Sequence, residues 1–171
     1  LGWALNSENA GRINNLRLGE AILLGSDPLS GRALSGLYTD AIVFVAEVIE
    51  SKTKPSMPWG NLAQSPFANE RQPASRGDIS QVILAVGHQD VDPAGLLSPP
   101  GLTIVAASSD HLIIDAGRSE LDVGSEVAFK LDYSALLRAM TSPFVTRVMQ
   151  RDGQRPVHYH PVEEPVVSIA S

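Results

Sequence analysis

Cysteine is absent from the 171 residues, so the chain has neither a disulfide framework nor a thiolate metal site. No stretch approaches the ~18 consecutive apolar residues that a membrane-spanning helix needs. Basic residues are the minority, 13 against 19 acidic, for a net charge of −6. Nucleic acid, which is held by clustered Lys and Arg, is therefore not expected as the main partner. The opening residues LGWALNSENAGR have neither the basic start nor the apolar core of a secretory signal. They also lack an initiator methionine, which makes a fragment or a processed chain the expectation. No internal repeat is present. A cytoplasmic home fits these absences.

What remains is the composition of an ordinary folded protein, 43% hydrophobic and 19% charged. The length fits one domain, or one domain plus a piece of another. A compact body of this size buries about two-thirds of its unfolded surface, so a real core is available.

The pattern along the chain is mostly β. Residues 16–25, LRLGEAILLG, form a short apolar run containing Gly19 and closed by Gly25. The Gly, Pro and Ser of residues 26–36 make a connector, and the main domain boundary is placed there. Residues 38–52 have an unbroken apolar centre, 41–46, followed by alternation, which predicts a strand buried on both faces and then half exposed. Residues 54–77 carry four prolines and read as a long loop. Strands are expected at 81–86, within 101–115, at 126–131 and, last, at 144–149. Residues 132–140, DYSALLRAM, read as a short helix capped by Asp132 or Ser134 and stopped by Ser142-Pro143. Residues 151–171 read as a flexible tail. Short strands separated by Gly/Pro turns point to a barrel or a sandwich.

The centre of this arrangement is residues 101–115, GLTIVAASSDHLIID, with two β-branched arms around a polar knot, Ser108-Ser109-Asp110-His111. The knot reads either as a turn whose Ser and Asp bond their own backbone, or as a site. His88, in a Gly87-His88-Gln89-Asp90 turn after a strand, is either a surface turn residue or a general acid or base. His158 and His160 share one side of an extended segment, but with no third ligand nearby no metal is expected. Asp115-Ala116-Gly117 has the outline of an aspartic-protease turn, without the hydroxyl that orients the carboxylate or the second lobe. Arg17, inside an apolar run and two residues before Gly19, suits an anion or a ring nitrogen held at a strand end.

Taken in order, NLRLGEAILLG (15–25), LYTDAIVFVAEVIE (37–50), ILAVGHQDVD (83–92), IVAASSDHLIID (104–115) and LDYSALLRAMTSPFV (131–145) resemble the C-terminal part of the alanine racemase-like amino-acid racemases. The branch that includes ornithine racemase is the nearest in look. These are fold-type III pyridoxal-phosphate enzymes, with an N-terminal (β/α)8 barrel and a C-terminal β domain. The resemblance implies a remnant of the cofactor-binding barrel at 1–25, with LRLGEAILLG as its last strand, a C-terminal β-barrel or sandwich domain at 26–150 and the tail beyond.

It also implies roles. Arg17 falls where the family sets an Arg against the cofactor's pyridine nitrogen, and Gly19 and Glu20 fall near its phosphate. A guanidinium keeps its proton, so the ring nitrogen stays unprotonated and proton exchange at Cα is favoured over side reactions. The family's β domain sends a Tyr into the partner subunit's active site as an acid/base. His88 stands at the matching turn, so it is expected either to replace that Tyr or to contact substrate, and Tyr133 is another candidate. Ser109, Asp110 and His111 match a stretch that contacts the substrate carboxylate.

The lysine that anchors the cofactor has no counterpart, since Lys52, Lys54 and Lys130 lie in no matching motif. The chain alone is therefore expected to be inactive. The expectation for the complete protein is a homodimeric racemase interconverting L- and D-amino acids. The alternatives are a non-catalytic β domain for dimerisation or partner binding, and a related fold-type III lyase. Which amino acid is used does not follow from the sequence.

Overall fold

The computed structural model of the chain describes residues 11, 12, 15, 17–57 and 77–149. The expected mostly-β body is there, as one six-stranded antiparallel sheet. Its strands are β1 (Phe44–Pro55), β2 (Asp78–Leu84), β3 (Leu96–Leu97), β4 (Thr103–Ala107), β5 (Leu112–Asp115) and β6 (Glu126–Leu131). They lie in the order β3-β6-β1-β2-β5-β4, so β1 and β2 are central. Among the described residues two α-helices accompany them, α1 (Glu20–Leu24) and α2 (Tyr133–Thr141). Among the described residues no helix is long and apolar enough to cross a membrane.

Alternation makes the core. Phe44, Ala46 and Val48 of β1 turn inward while Val45, Glu47 and Ile49 stay exposed. The register stacks the inward residues of neighbouring strands: Phe44 opposite Phe129, Val48 opposite Leu84, Val82 opposite Ile114 and Leu84 opposite Leu112. Phe129, Leu84, Leu112, Ile114, Val48 and Val82 are fully buried. Ala135, Leu136 and Ala139 of α2 close the same core. A strand is thus specified on one face by its period of two, and a one-residue slip would turn its apolar set to water.

The residues leading into β1 correct the reading of a doubly buried strand. Val43 and Val45 are 49% and 41% exposed, and the strand begins only at Phe44. Only the inner face is packed, so the apolar run gave composition without burial. β2 begins at Asp78, earlier than its apolar centre, because the long arm of β1 supplies partners out to Pro55 opposite Asp78. Just past that pair, the Ser56 N–H donates to the Gly77 carbonyl at 2.8 Å. The segment expected as a long loop therefore leaves and re-enters the sheet at one point, and its residues 58–76 lie outside those described.

Two further strand expectations fail. Glu20–Leu24, inside the run expected as a barrel strand, is helical. An apolar run this short does not distinguish strand from helix, and Glu, Ala and Leu are strong helix formers. Gly19 O accepts from Ile22 N and Leu23 N, and Gly25, at φ 65°, ends the turn in the left-handed region. A Cβ on Gly25 would lie 2.1 Å from the Tyr38 carbonyl oxygen. Residues 144–149 form no strand: the Phe144 N–H is taken by Ser142 Oγ, and Phe144, Val148 and Met149 are largely exposed.

The helix at the other end follows expectation closely. Asp132 caps α2, its carboxylate accepting from Ala135 N at 2.8 Å. Ser134, the alternative cap, instead donates to the Asp92 carboxylate at 2.6 Å. The tail expected at 151–171, with His158 and His160, lies outside the described residues.

Candidate functional site

β4 and β5 form a hairpin, and the polar knot is its four-residue loop, with Ala107 opposite Leu112. Ser108 closes the loop: its N–H donates to the His111 carbonyl at 2.8 Å, and its Oγ accepts from the N–H groups of His111 at 3.0 Å and Asp110 at 3.3 Å. The turn is thus internally satisfied, as small hydroxyl residues allow. Ser109 Oγ donates to the Asp110 carboxylate at 2.8 Å, and Ser109, Asp110 and His111 are all exposed.

The loop is also a docking point. The N–H groups of His88 and Gln89 donate to the carbonyls of Ser108 and Ser109, at 2.9 and 3.0 Å. The turn at 87–90 folds on itself through Asp90 N to Gly87 O at 3.0 Å. Gly87 is buried against the hairpin loop, and a Cβ there would stand 2.4 Å from Ser109 O and 2.5 Å from Asp110 N. Glycine is required here by close approach of two backbones. His88, Ser109, Asp110 and His111 are thereby gathered at one end of the sheet. His88 is half-buried, with its Nε2 covered.

A third element joins them. Arg138 of α2 donates from Nη1 to the His88 carbonyl, and Ser142 Oγ donates to the buried Asp90 carboxylate at 3.0 Å. The sequence reading took Arg138 only as a helix former and Asp90 only as a turn residue. No local signal marks either, because their partners are 50 and 52 positions away.

The remaining candidates are placed apart. Tyr133 is 40% exposed and shares the outer face of α2 with Leu137 and Met140, one and two turns on. Arg17 and Gly19 are exposed and Glu20 half-buried, at the start of α1. The expectation that Arg17 is enclosed by an apolar strand is corrected: it lies at the surface in irregular backbone. Asp115 is an Asx turn, its carboxylate accepting from Gly117 N at 2.9 Å, which is what a structural turn does. Among the described residues no three His, Asp or Glu are grouped to hold a metal ion.

The described lysines are informative. Lys52 and Lys54 both donate to the Glu50 carboxylate on β1. Those two hydrogen bonds hold the Glu50 carboxyl down at about 2, the Lys52 bond having the larger effect. A depressed folded value means that the stabilising contribution is present above about 4.5 and is lost as pH falls through about 2. The side-chain carboxyl of Glu50, followed by NMR, should titrate near 2 and return toward its ordinary value in a Lys52→Met/Lys54→Met variant. A midpoint near 4.5 in the parent would contradict the pairing.

No protein-family model matches the chain, and no solved structure matches it. Lysine racemase of Thermotoga maritima is 40% identical over 147 residues, 85% of this chain and 42% of that protein. Ornithine racemase of Acetoanaerobium sticklandii is 36% identical over 138 residues, 79% of this chain and 39% of that protein. The chain spans about two-fifths of the length of these curated relatives. Over about four-fifths of its length this mostly-β chain is therefore similar to a stretch of two amino-acid racemases.

Proposed function

We propose that this chain is the C-terminal β domain of a pyridoxal-phosphate amino-acid racemase, together with the segment that connects it to a barrel. The complete enzyme exchanges the Cα proton and interconverts L- and D-forms of its substrate. Ornithine and lysine, the amino acids in the relatives' names, are the first substrates to test. The observation that carries the reading is the docking of the 87–90 turn onto the 108–111 loop, within a chain that aligns with two racemases.

In this reading His88 holds or moves the proton on one face of the substrate, and Ser109 and Asp110 contact the amino acid. His111 lines the same loop, and Tyr133 is the second candidate acid/base. Both turns are offered at one end of the domain, which suits an active site shared between two subunits of a homodimer in the cytoplasm.

The start of α1 fits the cofactor on one side. Arg17 is exposed, an added Cβ at Gly19 meets nothing within 4 Å, and the N–H groups of Glu20 and Ala21 precede the first intrahelical bonds. Arg17 would hold the ring nitrogen, and the backbone after Gly19 with Glu20 would lie by the phosphate. When bound, pyridoxal phosphate supplies the electron sink that makes the Cα proton labile. Lys52, Lys54 and Lys130 lie in no matching motif, so the anchoring amine would come from the part of the relatives that this chain does not span.

The test joins this chain to the N-terminal portion of Thermotoga maritima lysine racemase and follows the optical rotation of L-ornithine and L-lysine. Rotation should decay to zero with one of them. Constant rotation, with cofactor bound to the fusion, would overturn the proposal.

A further inference from the structure

α2 lies along residues 88–95 like a splint. Asp132 N–H donates to the Gly95 carbonyl at 2.8 Å and Ser134 Oγ to the Asp92 carboxylate at 2.6 Å. Arg138 donates to the His88 carbonyl, and Ser142 Oγ to the Asp90 carboxylate. The Asp132 and Ser142 links sit at the helix caps, where losing them would disturb the helix itself, and the exposed Ser134 link ends on the Asp92 side chain, four residues beyond His88. The Arg138 link is different. It is made by an exposed side chain, on a face that contributes nothing to the core, and it ends on the peptide that carries His88. The other side of that peptide is fixed by the His88 and Gln89 N–H bonds to the hairpin loop.

We infer that Arg138 is a positioning residue, which locks the His88 peptide between α2 and the 108–111 loop and so sets where the His88 side chain is presented. The inference deepens the racemase reading and rests on it for its consequence in catalysis, but the locking itself does not. A guanidinium suits the task because its planar fork holds an acceptor in a fixed direction, whereas an ammonium is a point charge on a flexible stem. Without it the His88 carbonyl turns to water and the backbone bonds to Ser108 and Ser109 remain. The turn is then loosened without the domain being unfolded.

Two readouts separate the locking from the chemistry. In the chain as it stands, amide hydrogen exchange at His88 and Gln89 should quicken about tenfold in Arg138→Met, while Val82 and Leu84 in the sheet keep their rates. Arg138→Lys should recover part of the protection. Thr141→Val, on the same helix and bonded only to Leu137 and Arg138 carbonyls, should change neither. In the fusion described above, Arg138→Met should lower kcat roughly 10- to 100-fold with KM within about twofold, since a small misplacement of a reacting group is costly in rate. Unchanged exchange at His88 and Gln89 overturns the inference, whether or not the fusion is active. Quickened exchange with an unchanged kcat overturns its catalytic part. Quickened exchange with an inactive parent fusion supports the locking and counts against the racemase reading instead.

Discussion

Phe129→Ala should unfold at a temperature roughly 10 °C or more below the parent chain, with a loss of about 3–5 kcal/mol. Phe129 is fully buried in β6, opposite Phe44 on the central strand β1. It sits where the sheet and α2 meet, since Val127, Leu131, Ala135 and Leu136 belong to the same core. Truncation removes the transfer free energy of the ring and leaves a cavity whose walls are strands in fixed register, so collapse is limited. Thermal or urea unfolding measures it. A change below about 1 kcal/mol would mean that this strand is not part of one cooperative core. By contrast Val45→Ala, on the half-exposed outer face of the neighbouring strand, should fall within about 0.5 kcal/mol of neutral.

Gly87→Ala should damage the site more than the fold. The new methyl would meet two backbone atoms of the hairpin loop, Ser109 O and Asp110 N, at 2.4 and 2.5 Å, far inside contact distance. Neither is the end of a flexible side chain, so one turn must move off the other. The bonds from His88 and Gln89 to Ser108 and Ser109 are the first to break. A cost of about 2–3 kcal/mol follows from overpacking of this kind. The more telling result lies in the NMR spectrum. Amide shifts of residues 87–90 and 108–111 should move together, while β1, β2 and β6 keep theirs. In an active fusion the same substitution should abolish measurable turnover, because it displaces the His88 turn from the Ser109 and Asp110 loop at once. Retention of parent-level kcat would show that the docking of these turns does not matter for the reaction.

Much of the fold was legible because the strands obey a period of two. Val127, Phe129 and Leu131 alternate in the sequence and are buried in the structure, and β6 appears where the pattern placed it. Asp132 as a cap, with Ala, Leu and Met behind it, was sufficient to place α2. What failed had no period to read. Glu20–Leu24 is apolar and short, and a helix and a strand look alike at five residues. Residues 144–149 have strand composition, but among the described residues no strand pairs with them. The site was half legible. The knot at 108–111 and the His88 turn each broke an apolar pattern and drew notice as separate features. That they dock on each other depends on Gly87 lying against Ser109, a contact that only the folded sheet creates. Arg138 and Ser142 were invisible for the same reason, being paired with residues half a hundred positions distant.

The central claim, that this domain completes a racemase, is tested most directly by exchange at Cα. The chain joined to the N-terminal portion of Thermotoga maritima lysine racemase would be incubated with L-ornithine in deuterated buffer, and deuterium at Cα followed by NMR beside that N-terminal portion alone. The account predicts deuterium at Cα, appearing with the D-enantiomer, for the joined protein and not for the portion alone. Exchange no faster than with that portion, while the joined protein holds its cofactor, would contradict it.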